Sequence, residues 1–354
     1  MRALIWQWGR RGAGPRIALE FAEALRATGS ASVVLSLSRQ SEIMLDGRTP
    51  DCDLPIDTYS GVAGVPQALL RAPALSRRVE RLARDAQVDV ALCGMPAMLD
   101  FVMDHALRRA GVPFAVVVHD ATPHSGDGLP FQHSLQQRLI RHASALIAPS
   151  KYVGQMLRNQ PEARGKEITV IPLPPLRYDC AAPPRSHGGM MRLLFFGRLL
   201  PYKGLDLLAS ALRKLPSDSV PVTRIVGQGH ETSALATLRA IPNVTVENRW
   251  VPEQEVEHII NWSDALVLPY KEASQSGAIA VALACGRPCI VTCVGGLPEQ
   301  VRNGVDGLIV DPTPEALAGA IHRLSLQPII PPIPIRRDGN ALLEVLRDIS
   351  SSKQ

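Results

Sequence analysis

Short apolar runs recur along the chain, separated by longer segments in which apolar residues return every three or four positions. Most of the runs are continuously apolar, as in "FAVVVHD" and "PCIVTCV", which is typical of strands buried on both faces of a parallel sheet. The segments between them favour amphipathic helices, because Leu205, Leu208 and Leu212 fall on one helical face. This alternation predicts an α/β protein with Rossmann-like, doubly wound parallel sheets.

A proline-rich segment, "PLPPLRYDCAAPPRSHGG", divides the pattern into two halves. Proline removes a backbone donor and interrupts both helices and ladders, so we expect a linker between two domains there. We expect residues 1–175 to form an N-terminal domain and residues 190–327 a C-terminal domain, with a final helix at 338–350 that rejoins the first. Two such domains facing each other would leave a ligand cleft at the carboxyl ends of their sheets.

Composition and charge limit the types of partner and the cellular location that we expect for the protein. The formal net charge of +5 suits a phosphorylated substrate, an anionic membrane surface or nucleic acid. Aromatic residues make up only 4% of the chain, and no basic run interleaves with stacking residues, so we expect no nucleic acid partner. The first residues lack a signal-peptide pattern and no apolar stretch reaches 18 residues, which predicts a cytoplasmic protein without a membrane span.

The segment "FFGRLLPYKG", residues 195–204, contains the strongest candidate chemistry. Arg198 follows a buried strand, and Lys203 is predicted to begin the next helix, whose N-terminus favours anions. Gly197 and Gly204 permit close approach of the backbone. A forked guanidinium and an ammonium beside a helix N-terminus predict a diphosphate site. The alternative is a solvated strand end with two ordinary surface cations.

Five segments of the second half point in order to one known family. They are "FFGRLLPYKGLDLLASAL", "RIVGQG", "NVTVENRWVPEQEVEHIINWSDALVLPY", "GAIAVALACGRPCIVTCVGGLPEQV" and "NGVDGLIVDP". Together they resemble the retaining GT-B glycosyltransferases of the family-4 type. The first half is similar more loosely, through "GRRGAG" and "HD". The resemblance implies a nucleotide-sugar donor held by the C-terminal domain, an acceptor held by the N-terminal domain, and neither a metal nor another cofactor.

The resemblance also implies roles for single residues. Arg198 and Lys203 would neutralise the donor diphosphate as it departs, where charge grows in the transition state. Gly12 and Gly14 would let the first loop approach the phosphates or the acceptor. His119 would lie near the donor sugar, although a histidine satisfied at a strand end is the alternative.

The remaining donor-binding assignments are backbone positions and one carboxylate. They are Gly197, Gly227, Gly229 and Val251 near the nucleotide, Ser276 and Gly277 through their amides on the phosphate, and Glu299. Glu299 is equally well explained as a first-turn carboxylate favoured by the helix dipole.

One departure from the family pattern concerns the helix "GAIAVALACG". The family has glutamates where this sequence has Ala273 and Val281, and the second of these usually binds the donor ribose. We therefore keep two functions open. The first is transfer of a hexose-type sugar to a hydroxyl, with retention, in bacterial polysaccharide or glycolipid synthesis. The second is a non-catalytic GT-B protein that binds nucleotide or glycan as a partner subunit. A Rossmann oxidoreductase is excluded, because no dinucleotide fingerprint is present.

Two further patterns bear on partners. The segment 67–87 places Leu75, Val79 and Leu82 on one side of a helix with arginines around them, which suits an anionic membrane and a lipid-linked acceptor. A helix packing on its own sheet is the alternative. The spacing of Cys285, Cys289 and Cys293 fits no common zinc pattern, so we predict core residues and no metal.

Overall fold

The computed structural model describes residues 1–45, 50–122, 130–178, 189–333 and 339–351. These residues form two compact units. Unit 1 contains the described residues up to Pro174 together with 339–351, and unit 2 contains those from Pro175 to Ile333.

Each unit is built on a parallel sheet of six strands. The strands of unit 1 are β1 (Arg2–Gln7), β2 (Ser32–Leu37), β3 (Val90–Cys93), β4 (Phe114–Val117), β5 (Ala145–Ala148) and β6 (Glu167–Val170). Those of unit 2 are β7 (Arg192–Phe196), β8 (Val222–Gly227), β9 (Val244–Asn248), β10 (Ala265–Leu268), β11 (Cys289–Thr292) and β12 (Gly307–Val310). The sheet orders are β2-β1-β3-β4-β5-β6 and β12-β11-β10-β7-β8-β9. The predicted doubly wound α/β fold is confirmed.

Helices connect the strands and cover the sheets. They are α1 (Gly14–Ala27), α2 (Glu42–Leu45), α3 (Val65–Asp85), α4 (Asp100–Ala110), α5 (Pro130–His142), α6 (Lys151–Arg158), α7 (Leu205–Lys214), α8 (Ser233–Arg239), α9 (Glu253–Trp262), α10 (Gly277–Ala284), α11 (Leu297–Gln300), α12 (Pro314–Leu326) and α13 (Asn340–Ser351). Short 3-10 helices lie at Val62–Gly64, Pro161–Ala163 and Pro201–Lys203.

The strand orders place one switch point in each sheet. In unit 1 the chain continues from β1 to β2 on one side and to β3 on the other, and in unit 2 the equivalent pair is β7 and β10. Helices that leave two adjacent strands in opposite directions open a crevice at the carboxyl ends of those strands. Chain topology therefore directs attention to the loops after β1 and β3 in unit 1, and after β7 and β10 in unit 2.

The core of unit 1 includes residues from both ends of the chain. Trp6 of β1 packs edge-to-face on Phe114 of β4, with ring centroids 5.8 Å apart. Helix α13 packs on β3, β4 and α1, and buries Leu342, Leu343 and Leu346. Its apolar positions recur at helical spacing, which is why this terminal segment forms a helix with one buried face.

Helix α3 packs on unit 1 through the apolar residues that were considered for membrane contact. Val79 is only 1% exposed and belongs to the core, and Leu75 and Ala86 pack against it. The arginines Arg71, Arg77, Arg78 and Arg81 are exposed, together with Leu69 and Leu70. Among the described residues, none of the helices has the length and apolarity that a membrane span requires.

Candidate functional site

The loops that follow β7 and β8 lie against each other, backbone on backbone. The Gly197 amide donates to the Val226 carbonyl at 3.1 Å, and the Leu199 amide donates to Gln228 at 2.9 Å. A Cβ on Gly227 would lie 1.7 Å from the Gly197 carbonyl oxygen, and one on Gly229 would lie 2.2 Å from that of Leu199. Only glycine fits at these positions, so the two loops form one fixed surface at the end of the sheet.

The two predicted phosphate-binding cations differ in environment. Arg198 is exposed, whereas Lys203 is only 9% exposed. The Lys203 Nζ lies 3.7 Å from the ring centroid of Tyr270 and 4.8 Å from that of Tyr202. No carboxylate pairs with Lys203 within the described part of the chain. The side-chain nitrogen of Lys203 is thus held by aromatic faces.

The helix after this lysine begins two residues later than the sequence suggested. Lys203 ends the 3-10 helix Pro201–Lys203, and Gly204, with φ at 68°, precedes α7. A Cβ on Gly204 would lie 1.8 Å from the Pro269 carbonyl oxygen. This close approach brings the loop after β7 directly onto the loop after β10, at the switch point of the unit 2 sheet.

Tyr270 connects Lys203 to the start of α10. Its hydroxyl lies 3.1 Å from the Ser276 Oγ, and both residues are buried. The Ser276 amide donates to the Gln300 Oε1 at 2.7 Å, and the Gln300 Nε2 donates to the Ser276 carbonyl at 3.2 Å. Gln300 therefore already occupies the Ser276 amide that the sequence assigned to phosphate, while Gly277 is the first residue of α10.

The two positions that lack the family glutamates are buried. Ala273 is 3% exposed and Val281 is 5% exposed. The Ala273 carbonyl accepts from the Gly296 amide at 3.2 Å, so this segment is joined to the loop before α11. Glu299, on the four-residue helix α11, is exposed. Within the part of the chain that the structure describes, these two positions are therefore occupied by buried apolar side chains and not by carboxylates.

A polar clip holds the loop after β8. The Gly229 amide donates to the Asn248 Oδ1 at 3.0 Å, and the Asn248 Nδ2 donates to the Glu231 Oε1 at 2.7 Å. Hydrogen bonds from Arg239 and Asn248 lower the pKa of Glu231 to about 2. Val251, in the loop after β9, is 9% exposed. Sequence reasoning missed Asn248, although its place at the end of a strand was a usable signal.

The glycine-rich loop of unit 1 is open on one side and closed on the other. Gly12 is exposed, with φ at 80°, and a Cβ there would meet no atom within 4 Å. Gly14 begins α1, and its Cβ would lie 2.7 Å from the Nε2 of buried Gln7 and 3.1 Å from the Met95 Sδ. Close packing on Gln7 therefore explains Gly14, and the turn explains Gly12.

His119 lies two residues beyond β4 and is 6% exposed. Its Nε2 lies 2.9 Å from the Gly94 carbonyl, an acceptor, so Nε2 carries the proton. Burial lowers the pKa of His119, and the imidazole is neutral. Its Nδ1 then carries a lone pair and acts as a hydrogen-bond acceptor.

Asp100 is a second buried titratable group near this end of the unit 1 sheet. Its carboxylate accepts from the Trp6 Nε1 at 3.1 Å, the Ala97 amide at 2.7 Å and the Cys93 thiol at 3.4 Å. Burial raises the pKa of Asp100 to about 7. No sequence pattern pointed to this group, because an aspartate at a helix start is ordinarily an exposed capping residue.

Comparisons with known proteins place the chain in a family. The sequence profile of "Glycosyl transferase 4-like domain" matches residues 11–174, and that of "Glycosyl transferases group 1" matches residues 191–327. The chain belongs to these group 1, family 4-like glycosyltransferases. A D-inositol 3-phosphate glycosyltransferase of Nocardiopsis dassonvillei is 30% identical over 255 residues, which are 63% of this chain and 59% of that protein. The match therefore spans less than two thirds of that relative.

Solved structures identify the fold as GT-B. Anabaena HepE in complex with UDP and glucose matches with a TM-score of 0.66 at 17% identity, over 100% of this chain and 94% of that chain. The UDP-GlcNAc 2-epimerase of Methanocaldococcus jannaschii matches with a TM-score of 0.59 at 13% identity, over 98% and 100% of the two chains. Because an epimerase shares the fold, the fold alone does not define the reaction.

Proposed function

We propose that the protein transfers a hexose-type sugar from a nucleoside diphosphate donor to a hydroxyl of a glycan or lipid-linked acceptor, with retention. The bond from the anomeric carbon to the phosphate oxygen breaks, a bond to the acceptor oxygen forms, and the hydroxyl loses its proton. The observation that carries this proposal is the Lys203 ammonium, held on aromatic rings beside the start of α10. A fixed positive charge there stabilises the departing diphosphate.

The proposal includes independence from divalent metal ions and from other cofactors. Lys203 and Arg198 follow β7, and the amides of the first turn of α10 add a positive dipole end. These groups supply the positive charge that a bound Mg²⁺ would otherwise bring to a diphosphate. Activity should therefore survive chelation, whereas a strict requirement for added magnesium or manganese would contradict this part.

A second candidate function is supported by the buried Ala273 and Val281. A non-catalytic GT-B protein would bind nucleotide or glycan as a partner subunit and would not need a carboxylate on the ribose. A donor site without that carboxylate loses charge-assisted hydrogen bonds, each worth about 1.5–3 kcal/mol. Transfer or hydrolysis of a bound nucleotide sugar distinguishes the two candidates.

We further propose a cytoplasmic protein that contacts the inner face of the membrane through α3 in bacterial polysaccharide or glycolipid synthesis. Exposed arginines and the 83% exposed Leu70 support this contact. The wild type should sediment with anionic vesicles at low salt, and a Leu69→Ser, Leu70→Ser variant should do so less. Equal failure to bind neutral and anionic vesicles would contradict it.

The central test is a thermal-shift panel of UDP-glucose, ADP-glucose, GDP-mannose and dTDP-glucose, followed by product analysis with EDTA. A true donor at about 100 times its dissociation constant adds about 2.7 kcal/mol of stability. Lys203→Ala and Arg198→Ala should each weaken binding about tenfold or more. No stabilisation by any nucleotide sugar would contradict donor binding, and stabilisation without hydrolysis or transfer would favour the partner protein.

A further inference from the structure

We propose that Tyr270 is a positioning residue of the diphosphate site, because it sets the distance between the Lys203 ammonium and the N-terminus of α10. This inference rests on the proposed donor site in unit 2. The ring face of Tyr270 lies 3.7 Å from the Lys203 Nζ, and its hydroxyl lies 3.1 Å from the Ser276 Oγ. One side chain thus touches both elements that would contact phosphate.

Two neighbouring lysines show why an aromatic support matters. The Lys271 Nζ lies 2.6 Å from the Asp206 Oδ2, and both of these side chains are about half exposed. That carboxylate compensates the positive charge of Lys271, so Lys271 attracts an anionic ligand only weakly. Lys203 is fixed instead on a ring, which attracts the ammonium through its quadrupole without cancelling the charge. The positive charge of Lys203 therefore remains available to an anion.

The hydroxyl of Tyr270 acts on the other half of the site. Ser276 directly precedes α10, whose first amides have no partner within the helix. Gln300 holds Ser276 through its amide and its carbonyl, and Tyr270 holds its side chain. With three hydrogen bonds on one residue, the first turn of α10 cannot shift without breaking contacts on two other elements.

Tyr270 is itself held firmly. Its ring packs edge-to-face on Phe195 and on Tyr202, with centroids 6.5 Å away in each case. The Thr292 hydroxyl donates to the Tyr270 carbonyl at 2.6 Å, and Tyr270 is only 1% exposed. A residue fixed on all sides in this way can transmit position to its neighbours, which a mobile side chain cannot do.

The test is a double-mutant cycle on ligand affinity. The probe is whichever of UDP, ADP, GDP and TDP binds the wild type most tightly, together with its nucleoside, by calorimetry at low salt. Tyr270→Leu should weaken diphosphate binding about tenfold, as a change of about 1.4 kcal/mol would. Nucleoside affinity should stay within about twofold. Lys203→Met should then cost less in the Tyr270→Leu background than in the wild type.

Two further variants separate the ring from the hydroxyl and guard against misfolding. Tyr270→Phe keeps the ring, so it should retain the full effect of Lys203→Met while losing the Ser276 contact. If Tyr270→Leu does not fold, trifluorophenylalanine at this position keeps the shape of phenylalanine but weakens the quadrupole, and should bind diphosphate less tightly than Tyr270→Phe. Lys271→Met, the matched control, should leave affinity unchanged.

The outcomes distinguish this inference from the function on which it rests. A wild type that binds none of the four diphosphates would overturn both. Tight diphosphate binding by the wild type, together with additive effects of Lys203→Met and Tyr270→Leu, would overturn only the role of Tyr270. Equal diphosphate affinity of the proteins with phenylalanine and trifluorophenylalanine at position 270 would do the same. Equal losses for the diphosphate and the nucleoside would show a merely structural residue and would also overturn it.

Discussion

The carboxyl ends of the two sheets hold their buried ionisable side chains in different surroundings. In unit 2 the Lys203 Nζ lies against two tyrosine rings. In unit 1 burial lowers the pKa of His119 and raises the pKa of Asp100 to about 7, so both side chains shift towards their uncharged forms. The same type of sheet therefore surrounds a cationic side chain with aromatic faces in one unit and favours neutral groups in the other.

This difference follows from what surrounds each group. A charge taken from water without full compensation is costly, so burial shifts the two groups of unit 1 towards their uncharged forms, even though Asp120 lies near His119. In the proposed function, the aromatic faces around Lys203 and the N-terminus of α10 would receive the donor diphosphate. The uncharged groups of unit 1 would instead face the hydroxyl groups of a sugar, since these need hydrogen-bond partners and no counter-charge.

The largest effect is expected from a substitution that breaks the close backbone approach between Gly227 and Gly197 in unit 2. Gly227→Ala places a methyl group 1.7 Å from the Gly197 carbonyl oxygen, and should cost about 4 kcal/mol, at the upper end for single substitutions. Gly12→Ala, in the open loop of unit 1, should cost only about 1 kcal/mol, from its positive φ. Urea unfolding measures both, and equal costs would contradict the contrast.

The second prediction concerns Val281, a buried apolar residue of α10. Val281→Glu buries a carboxylate in place of a side chain that is 5% exposed, and should destabilise unit 2 by about 3 kcal/mol. Glutamine has nearly the same volume as glutamate but carries no charge, so Val281→Gln should lower the free energy of unfolding less than Val281→Glu does. If Val281→Glu instead keeps its melting temperature and tightens nucleoside diphosphate binding, then α10 contacts the ribose and the packing around position 281 can accommodate a carboxylate.

The third prediction uses pH to test the neutrality of unit 1. Because the pKa of Asp100 is raised from 3.8 to about 7 on folding, its contribution to stability is complete below about pH 4 and is lost as pH rises to 7. Relative to Asp100→Asn, the wild type should lose on the order of 2 kcal/mol between pH 5 and 7. Parallel curves of unfolding free energy for the two proteins would contradict a buried, neutral carboxyl.

The smallest effect concerns the clip on the loop after β8. Asn248→Ala frees the Gly229 amide and should weaken nucleoside diphosphate binding by about 1 kcal/mol, or about fivefold. Arg239→Ala removes the exposed ion pair with Glu231 but keeps the bond from Gly229 to Asn248, and should leave affinity nearly unchanged. A larger loss from Arg239→Ala than from Asn248→Ala would reverse this assignment.

Sequence reasoning recovered the fold because strands buried on both faces of a parallel sheet appear as continuous apolar runs, and "FAVVVHD" and "PCIVTCV" contain β4 and β11. It placed Lys203 at the start of the helix that follows β7, whereas α7 begins two residues later, because the positive φ of Gly204 depends on the approach of Pro269. The apolar side of α3 was ambiguous because periodicity predicts that a helix face is buried but does not show what covers it.

Three of the groups that sequence reasoning missed in unit 2 act through contacts that are distant in sequence. Tyr270, Gln300 and Asn248 lie 67, 24 and 19 positions from the residues that they hold or support, namely Lys203, Ser276 and Gly229. No local pattern encodes such pairs. For the same reason the assignment of the Ser276 amide to phosphate did not anticipate that a glutamine side chain already accepts its hydrogen bond.

The return of α13 to unit 1 has a consequence for biosynthesis. Gly339 approaches α1 so closely that a Cβ would lie 2.3 Å from the Ala24 carbonyl oxygen, and Leu346 of α13 is fully buried. A ribosome makes the chain from its N-terminus, so residues 1–174 emerge before unit 2 yet lack part of their core until α13, which follows unit 2 in the sequence, leaves the exit tunnel. The described residues of unit 2 all lie between 175 and 333, before α13 in the sequence, so they can pack together earlier. Proteolysis of stalled nascent chains should show unit 2 resistant before unit 1, an order of maturation opposite to the order of synthesis.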